Sequence, residues 1–174
     1  MNTKTTFFAT TIAAVLVLSM ALTPAFATGI KDYKITDAGI DEGTLFVQVQ
    51  GTAGGHVPDN GEDVYAYLFI LDNGDIFAFT SHLPEDSDDV PIDLEWHAHL
   101  VTSAVSDNRG NPCITGELDM GVPTLDGDTM SIDDVDTPYD FTGRSVDTVL
   151  AVVADADEFG ICVNKVWSSF SPEA

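Results

Sequence analysis

Positively charged side chains are scarce in this chain. Six lysines and arginines stand against 29 aspartates and glutamates, which gives a formal net charge of −23 at pH 7. Such a surface repels phosphate groups, so nucleic acid is excluded as a partner. An anionic membrane surface is disfavoured for the same reason once the N-terminal segment has been removed. The acidic excess leaves two alternatives open, namely solubility in salty water and calcium-binding loops.

Cysteine is equally scarce, because Cys113 and Cys162 are the only two in the sequence. An even number of cysteines in an exported chain favours one disulfide bond between them. The alternative is a pair of free thiols that act as soft metal ligands.

Long amphipathic helix patterns are absent. Short apolar runs, typical of strands, are instead separated by Gly, Asp, Asn and Pro. The pattern predicts an all-β protein, an antiparallel two-sheet sandwich of Ig-like or Greek-key type with eight or nine strands. A β-barrel is the alternative. The predicted strands cover 44–51, 63–71, 75–82, 94–105, 113–120, 129–135, 148–156 and 161–170, with an edge strand at 33–39.

One hairpin is predicted from the stretch "YLFILDNGDIFAF". Asn73 and Gly74 lie between two apolar runs, which is the signature of a tight turn that needs a positive φ. The two runs are apolar at almost every position, so we expect both faces of this hairpin to be covered.

The N-terminus has the features of a secretory signal peptide over residues 1–27. Lys4 precedes a long apolar run, Ala25 and Ala27 form a small-x-small cleavage pattern, and the first acidic residue is Asp32. Residues 28–174 then form a single domain, secreted or held at the cell surface. A retained membrane anchor is the alternative, because the apolar run approaches the length of a membrane span.

The histidines are the best functional clue. All four lie in one part of the chain, and two of them sit one residue apart in "EWHAHLVTSAV" (95–105). Side chains at i and i+2 of a strand share a face and lie about 6.6 Å apart, so both imidazoles can reach one copper or zinc ion. Two polar side chains on the wet face of a sheet are the alternative. The predicted metal ligands are His97 and His99, completed by His82 or His56.

Acidic side chains are dense in the stretch "DGDTMSIDDVD" (126–136). Carboxylate oxygens are the ligands that calcium prefers, but the spacing does not match the EF-hand loop. Solvated acidic loops are the alternative. The candidate calcium ligands are Asp126, Asp128, Asp133, Asp134 and Asp136.

Common catalytic motifs are missing. The sequence contains no G-x-S-x-G elbow, no H-E-x-x-H pair and no phosphate-binding glycine loop. It therefore favours a secreted or cell-surface protein that binds a metal ion over a metal-dependent enzyme. The alternative is a structural or adhesive extracellular module with a cell-surface protein as its partner and with calcium-binding or solvating loops.

The stretches "EWHAHLV", "CITGEL" and "GICVNKVWSSF" give the chain a resemblance in overall style. It resembles small exported acidic proteins of ammonia-oxidising archaea. The resemblance implies an extracellular or cell-surface setting in salty water. It also favours metal binding, because those organisms rely on copper enzymes, but it does not identify the ion.

Overall fold

The computed structural model describes residues 31–55, 63–81, 96–157 and 160–172. These residues form ten β-strands and one short 3-10 helix (Lys31–Tyr33), and none of them is in an α-helix. All nine predicted strands are present, and only the three-residue strand β7 was not predicted. The strands are β1 (Ile35–Asp41), β2 (Thr44–Val49), β3 (Asp63–Leu71), β4 (Ile76–Ser81), β5 (Trp96–Ser106), β6 (Pro112–Gly121), β7 (Thr124–Asp126), β8 (Thr129–Asp133), β9 (Val146–Asp157) and β10 (Gly160–Phe170).

The strands form two antiparallel sheets, which confirms the predicted sandwich. The smaller sheet has the order β1-β2-β8-β7, and the larger has the order β10-β6-β5-β4-β3-β9. The larger sheet closes on itself, because β10 pairs with both β9 and β6. The alternative prediction, a β-barrel, therefore applies only to the larger sheet and not to the whole fold.

The hairpin of β3 and β4 is formed around the predicted turn. The N–H of Gly74 donates to the carbonyl of Leu71 at 2.8 Å, and the N–H of Leu71 donates to the carbonyl of Asp75 at 2.9 Å. The positive φ falls on Gly74 alone, at 84°. This combination is a type I turn followed by one left-handed residue, a common way to join two antiparallel strands.

The main core lies between the two sheets. Side chains at alternate positions of β3 and β4 pack there against β2 and β8 of the smaller sheet. The rings of Phe69 and Phe79 contact each other edge to face, with centroids 4.9 Å apart. Each large side chain buried in this way stabilises the fold by about 1.5–3 kcal/mol. The predicted core aromatics are all found here: Tyr65, Tyr67, Phe69, Phe77 and Phe79.

A second core fills the inside of the larger sheet. Its buried members all come from strands of that sheet, among them Leu68 of β3, Ile76 of β4, Val101 of β5 and Val163 of β10. Because the larger sheet closes on itself, the face that carries these residues is its interior. Both faces of the β3–β4 hairpin are thus covered, as predicted.

The predicted disulfide is present between Cys113 and Cys162. The two cysteines are directly paired across β6 and β10, and Ile114–Ile161 is the only other residue pair that joins these strands in the described chain. Both cysteines are buried. The cross-link therefore lies in the short ladder that closes the larger sheet.

The turn between β5 and β6 is organised by the carboxylate of Asp107. Its Oδ1 accepts hydrogen bonds from the backbone N–H groups of Arg109 and Asn111 at 2.7 and 2.8 Å. Its Oδ2 accepts from the side chains of the same two residues, both at 3.0 Å. Burial alone would raise the pKa of Asp107, but these hydrogen bonds lower it to about 2. The turn fixes the register in which β5 and β6 pair.

Gly54 packs so closely against the β5 side of the core that an added methyl group has no room. A Cβ at this position would lie 2.5 Å from Leu125 Cδ2 and 2.6 Å from Trp96 Nε1, and the residue has a φ of 67°. Gly127 has nearly the same φ, 62°, but open space around it. We expect Gly127→Ala to lower the free energy of unfolding by about 1 kcal/mol through backbone strain alone. Gly54→Ala adds overpacking, for a total loss of about 3 kcal/mol.

Urea denaturation of the two glycine variants measures this difference directly. The matched φ values make Gly127→Ala the control for backbone strain. Equal losses in the two variants would contradict the close packing at Gly54.

Among the residues that the structure describes, no helix has the length and the apolar character needed to cross a membrane. The predicted signal peptide, residues 1–27, lies outside the described residues. The buried disulfide is compatible with an extracellular protein, because such bonds persist in oxidising surroundings.

Candidate metal site

His97 and His99 both lie on β5 and project from the same face of the larger sheet. Their partners on β4 are Thr80 and Ala78, respectively. Residues that pair directly across antiparallel strands share a face, and alternate residues of one strand do so too. The ring centroids of the two histidines are 6.2 Å apart, with the ring planes inclined at 37°.

This face is not the wet surface that the sequence suggested as the alternative. Val101 and Ala78, which share it, belong to the second core inside the closed sheet. His99 is accordingly buried, with 7% of its surface exposed, and His97 is half-buried. The alternative of two solvated side chains is therefore wrong for His99. The two rings run from the interior of the closed sheet towards its opening.

Two carboxylates approach the histidines from β6. Asp119 pairs directly with His99, and Glu117 pairs with Val101 one step further along the same face. The register of β5 and β6 shifts between Ala98 and His99, where β6 holds an extra residue. Such a bulge redirects side chains locally. β6 therefore presents acidic side chains to the face that carries the two imidazoles.

Glu117 is the closer of the two acids to His99. Its Oε1 lies 3.7 Å from Nδ1 of His99, and 35% of the Glu117 side chain is exposed compared with 9% of the His99 side chain. Asp119 has a hydrogen-bond partner within β6, because its Oδ1 accepts a hydrogen bond from the N–H of Gly121 at 2.9 Å. The pair of His99 and Glu117 thus joins a buried imidazole to a carboxylate that still reaches water.

A hydroxyl group completes the polar surroundings. Thr80, directly opposite His97, is 6% exposed, and its Oγ1 is buried without a hydrogen-bond partner among the described atoms. A buried hydroxyl without a partner costs about 1–3 kcal/mol, so a polar group next to it is favoured. Thr80, Glu117 and Asp119 were not predicted as site residues from the sequence.

The other two predicted histidine ligands, His56 and His82, lie outside the described residues. Within residues 31–55, 63–81, 96–157 and 160–172, no group of three or more His, Cys, Asp or Glu side chains could hold a metal ion. The structure thus places the two imidazoles of β5 together, with one carboxylate near His99.

The five candidate calcium ligands fall into two separate groups. Asp126 and Asp128 lie at the turn between β7 and β8, whereas the other three lie at the far end of β8 or beyond it. Asp128 and Asp133 are five residues apart along the strand, which corresponds to roughly 17 Å. Asp128 accepts a hydrogen bond from Gln48 at 3.0 Å, and Asp133 accepts one from Thr44. One calcium ion cannot contact both groups.

The polar side chains that meet at β5 and β6 carry imidazole nitrogens and a carboxylate oxygen. Zinc and copper(II) accept both kinds of donor. Alternation along one strand aligns the two imidazoles, and the β5–β6 ladder brings the carboxylate beside them. No protein-family model, no curated protein and no solved structure matches this chain, so the assignment of a function depends on these side chains.

Proposed function

We propose that this protein is an exported β-sandwich module that binds one divalent transition-metal ion, copper(II) or zinc, through His97 and His99. The observation that supports the proposal is the placement of both imidazoles on one face of β5, with ring centroids 6.2 Å apart. The strand fixes the backbone beneath both rings. Binding therefore costs only the side-chain freedom that remains at these two residues.

The distance between the rings supports shared coordination after a small adjustment. Two imidazoles bound to one tetrahedral zinc ion at 2.0–2.1 Å have ring centroids roughly 5 Å apart, about 1 Å closer than the two rings are in the structure. Rotation of the half-buried His97 ring towards His99 supplies the remaining movement. His99 is held by its neighbours inside the closed sheet and provides the fixed half of the site.

Charge and location also favour a cation as the ligand. The net charge of −23 concentrates cations around the protein and accelerates their encounter with it. The histidines run towards the opening of a closed sheet, and openings of this kind are common ligand sites. Export agrees with the buried disulfide and with the predicted signal peptide.

Titration of the exported, tag-free protein with copper(II) and with zinc tests the proposal. We expect one ion per chain to bind in the presence of a weakly competing chelator. His97→Ala is expected to reduce the affinity by at least about 100-fold, because loss of an outer-shell partner alone usually costs 10–100-fold. The half-buried position of His97 makes this variant the less disruptive of the two histidine replacements.

The matched control removes carboxylates that lie far from β5. Asp126→Ala with Asp128→Ala takes away two acids at the β7–β8 turn and is expected to leave the high-affinity ion in place. Single replacements of His56 and His82 show whether either one completes the site. Absence of a bound ion in the unmodified protein, or loss of the ion only in the aspartate variant, would show that the proposed function is wrong.

A further inference from the structure

We infer that a cleft between β1 and β9 binds a small molecule that carries both a carboxylate and a primary ammonium group, such as an α-amino acid. The observation behind the inference is that Arg144 and Asp147 line this cleft together without pairing with each other. The cleft includes neither His97 nor His99. The inference therefore goes beyond the metal-binding function proposed above and does not depend on it.

The cleft lies where an edge of the smaller sheet meets the larger sheet. Gly39 and Ile40 of β1 form one side, and Val146 of β9 and the residues next to it form the other. Val146 is buried in the main core, and Ile40 packs against that core, so the base of the cleft is firm. The volume is about 280 Å³. Ligand sites of this size suit a molecule smaller than a typical drug.

Arg144 supplies the positive charge of the cleft. It is exposed, and it is one of only six basic residues in the chain. Among the described residues it forms no ion pair, whereas Arg109 binds Asp107 at 3.0 Å. After the hydrogen bonds from Thr142, the charge of Arg144 also lowers the pKa of Asp140, but Oδ1 of Asp140 already accepts the N–H of Thr142 at 2.9 Å. The guanidinium thus keeps its donors for an external carboxylate, which it can bind through two parallel hydrogen bonds.

Asp147 and the overall charge determine what else the ligand must carry. A net charge of −23 repels a molecule that is only anionic. The exposed carboxylate of Asp147 has no ion-pair partner in the part of the chain that the structure describes, so it is available to a cation. A ligand with one carboxylate and one ammonium group satisfies both residues and remains neutral.

The type of ammonium group follows from the walls of the cleft. Quaternary ammonium groups, as in betaine, are usually held by the faces of aromatic rings. The described lining of this cleft contains no aromatic side chain. A primary ammonium group can instead donate hydrogen bonds to the Asp147 carboxylate. The site therefore selects amino acids over methylated amines.

The backbone that carries Arg144 is held in place before a ligand arrives. The N–H of Arg144 donates to the carbonyl of Phe141 at 3.1 Å, and Phe141 is completely buried in the core. The carbonyl of Ser145 accepts the N–H of Asp72 at 3.0 Å. Binding thus costs mainly the side-chain freedom of the two charged residues.

Nuclear magnetic resonance titration of the full metal-free protein with glycine at pH 7 tests the inference. Metal is left out because amino acids themselves coordinate copper and zinc. We expect saturable shifts of the amide signals of Gly39 and Ser145, which line the cleft. Acetate and methylammonium each carry only one of the two charged groups. Both are expected to bind at least about tenfold more weakly than glycine, because each lacks one charge-assisted interaction.

Three variants locate the binding to this cleft. Arg144→Gln and Asp147→Asn are each expected to weaken glycine binding by about tenfold or more. Asp147→Asn should also remove the preference for glycine over acetate, a result that a general loss of structure would not produce. Arg109→Gln is the matched control, because it removes the same charge at the β5–β6 turn. It is expected to change the affinity by less than about threefold, since distant exposed charges are screened by salt.

The outcomes of this experiment are separate from those of the metal titration. Absence of saturable shifts with glycine, equal binding of acetate and glycine, or an unchanged affinity in Arg144→Gln would each overturn the inference. None of these results would affect the proposed metal-binding function. Absence of a bound metal ion would likewise leave the amino-acid site intact.

Discussion

Simultaneous replacement of Cys113 and Cys162 by alanine is expected to lower the free energy of unfolding by about 4 kcal/mol. The two cysteines are 49 residues apart, and a cross-link of this span removes a large share of the conformational freedom of the unfolded chain. The ladder that closes the larger sheet has only one other described residue pair, Ile114–Ile161. Once the cross-link is gone, little holds β10 against β6.

Guanidinium denaturation of the oxidised protein and of the double alanine variant measures this loss. The dependence of the unfolding free energy on denaturant should also become steeper in the variant, because its unfolded state exposes more surface. Ile161→Val is the control within the same ladder and is expected to cost about 1 kcal/mol. A loss below 1 kcal/mol in the double variant would show that the disulfide contributes little to the closure.

The second large effect is loss of stability at alkaline pH through buried tyrosines. Burial, with the nearby Tyr67 and Tyr65 hydroxyls, raises the pKa of Tyr33 far above its ordinary value of 10. Burial and the charge of Asp32 also raise the pKa of Tyr67 above 10. The hydroxyl of Tyr67 donates a hydrogen bond to the carbonyl of Asp32 at 2.5 Å. Burial and the hydrogen bond to Asp75 also raise the pKa of Tyr139, to about 12.

The sign of the effect follows from the proton balance. Above pH 10 the unfolded chain releases tyrosine protons that the native state still holds, so the native state binds more protons and stability falls as pH rises. No such loss occurs below pH 10. Each fully buried tyrosine costs roughly 2.7 kcal/mol by pH 12, so Tyr33 and Tyr67 together lower the unfolding free energy by roughly 5 kcal/mol.

Absorbance of tyrosinate, recorded together with circular dichroism between pH 9 and pH 12, checks this expectation. Ionisation of the buried tyrosines should appear only as the protein unfolds. Tyr67→Phe removes one of the three groups with a raised pKa and should reduce the dependence of stability on pH by about a third. Ionisation of all the tyrosines near pH 10 in a folded protein would contradict their burial.

Local patterns predicted most of the fold. Apolar runs separated by turn residues placed nine strands, and the Asn73-Gly74 signal placed the central hairpin. β7 was missed because a three-residue edge strand with exposed side chains has no apolar pattern. The disulfide followed from the cysteine count and the inferred export.

The burial of His99 could not be predicted from a local sequence pattern. Its burial depends on the closure of the larger sheet by β10 and β6, a contact between distant parts of the chain that leaves no local pattern at residue 99. The sequence suggested a wet face because polar and apolar residues alternate along β5. Inside a closed sheet, the same alternation places a histidine beside Val101.

The position of the Glu117 carboxylate beside His99 could have been predicted from the sequence. The turn at 107–111 joins two antiparallel strands, and counting outwards from it places residue 99 opposite 119 and residue 101 opposite 117, as the structure has them. The further ligands predicted from the sequence were all histidines that precede β5. Pairing across the following hairpin predicts that Asp119 faces His99 and that Glu117 lies next to it on the same face.

Anomalous diffraction from crystals of the zinc-loaded or copper-loaded protein tests the central claim most directly. We expect one strong peak at about 2.1 Å from a ring nitrogen of both His97 and His99. A peak that lies only among the acidic residues of 126–136, or no peak beside two well-ordered imidazoles, would contradict it.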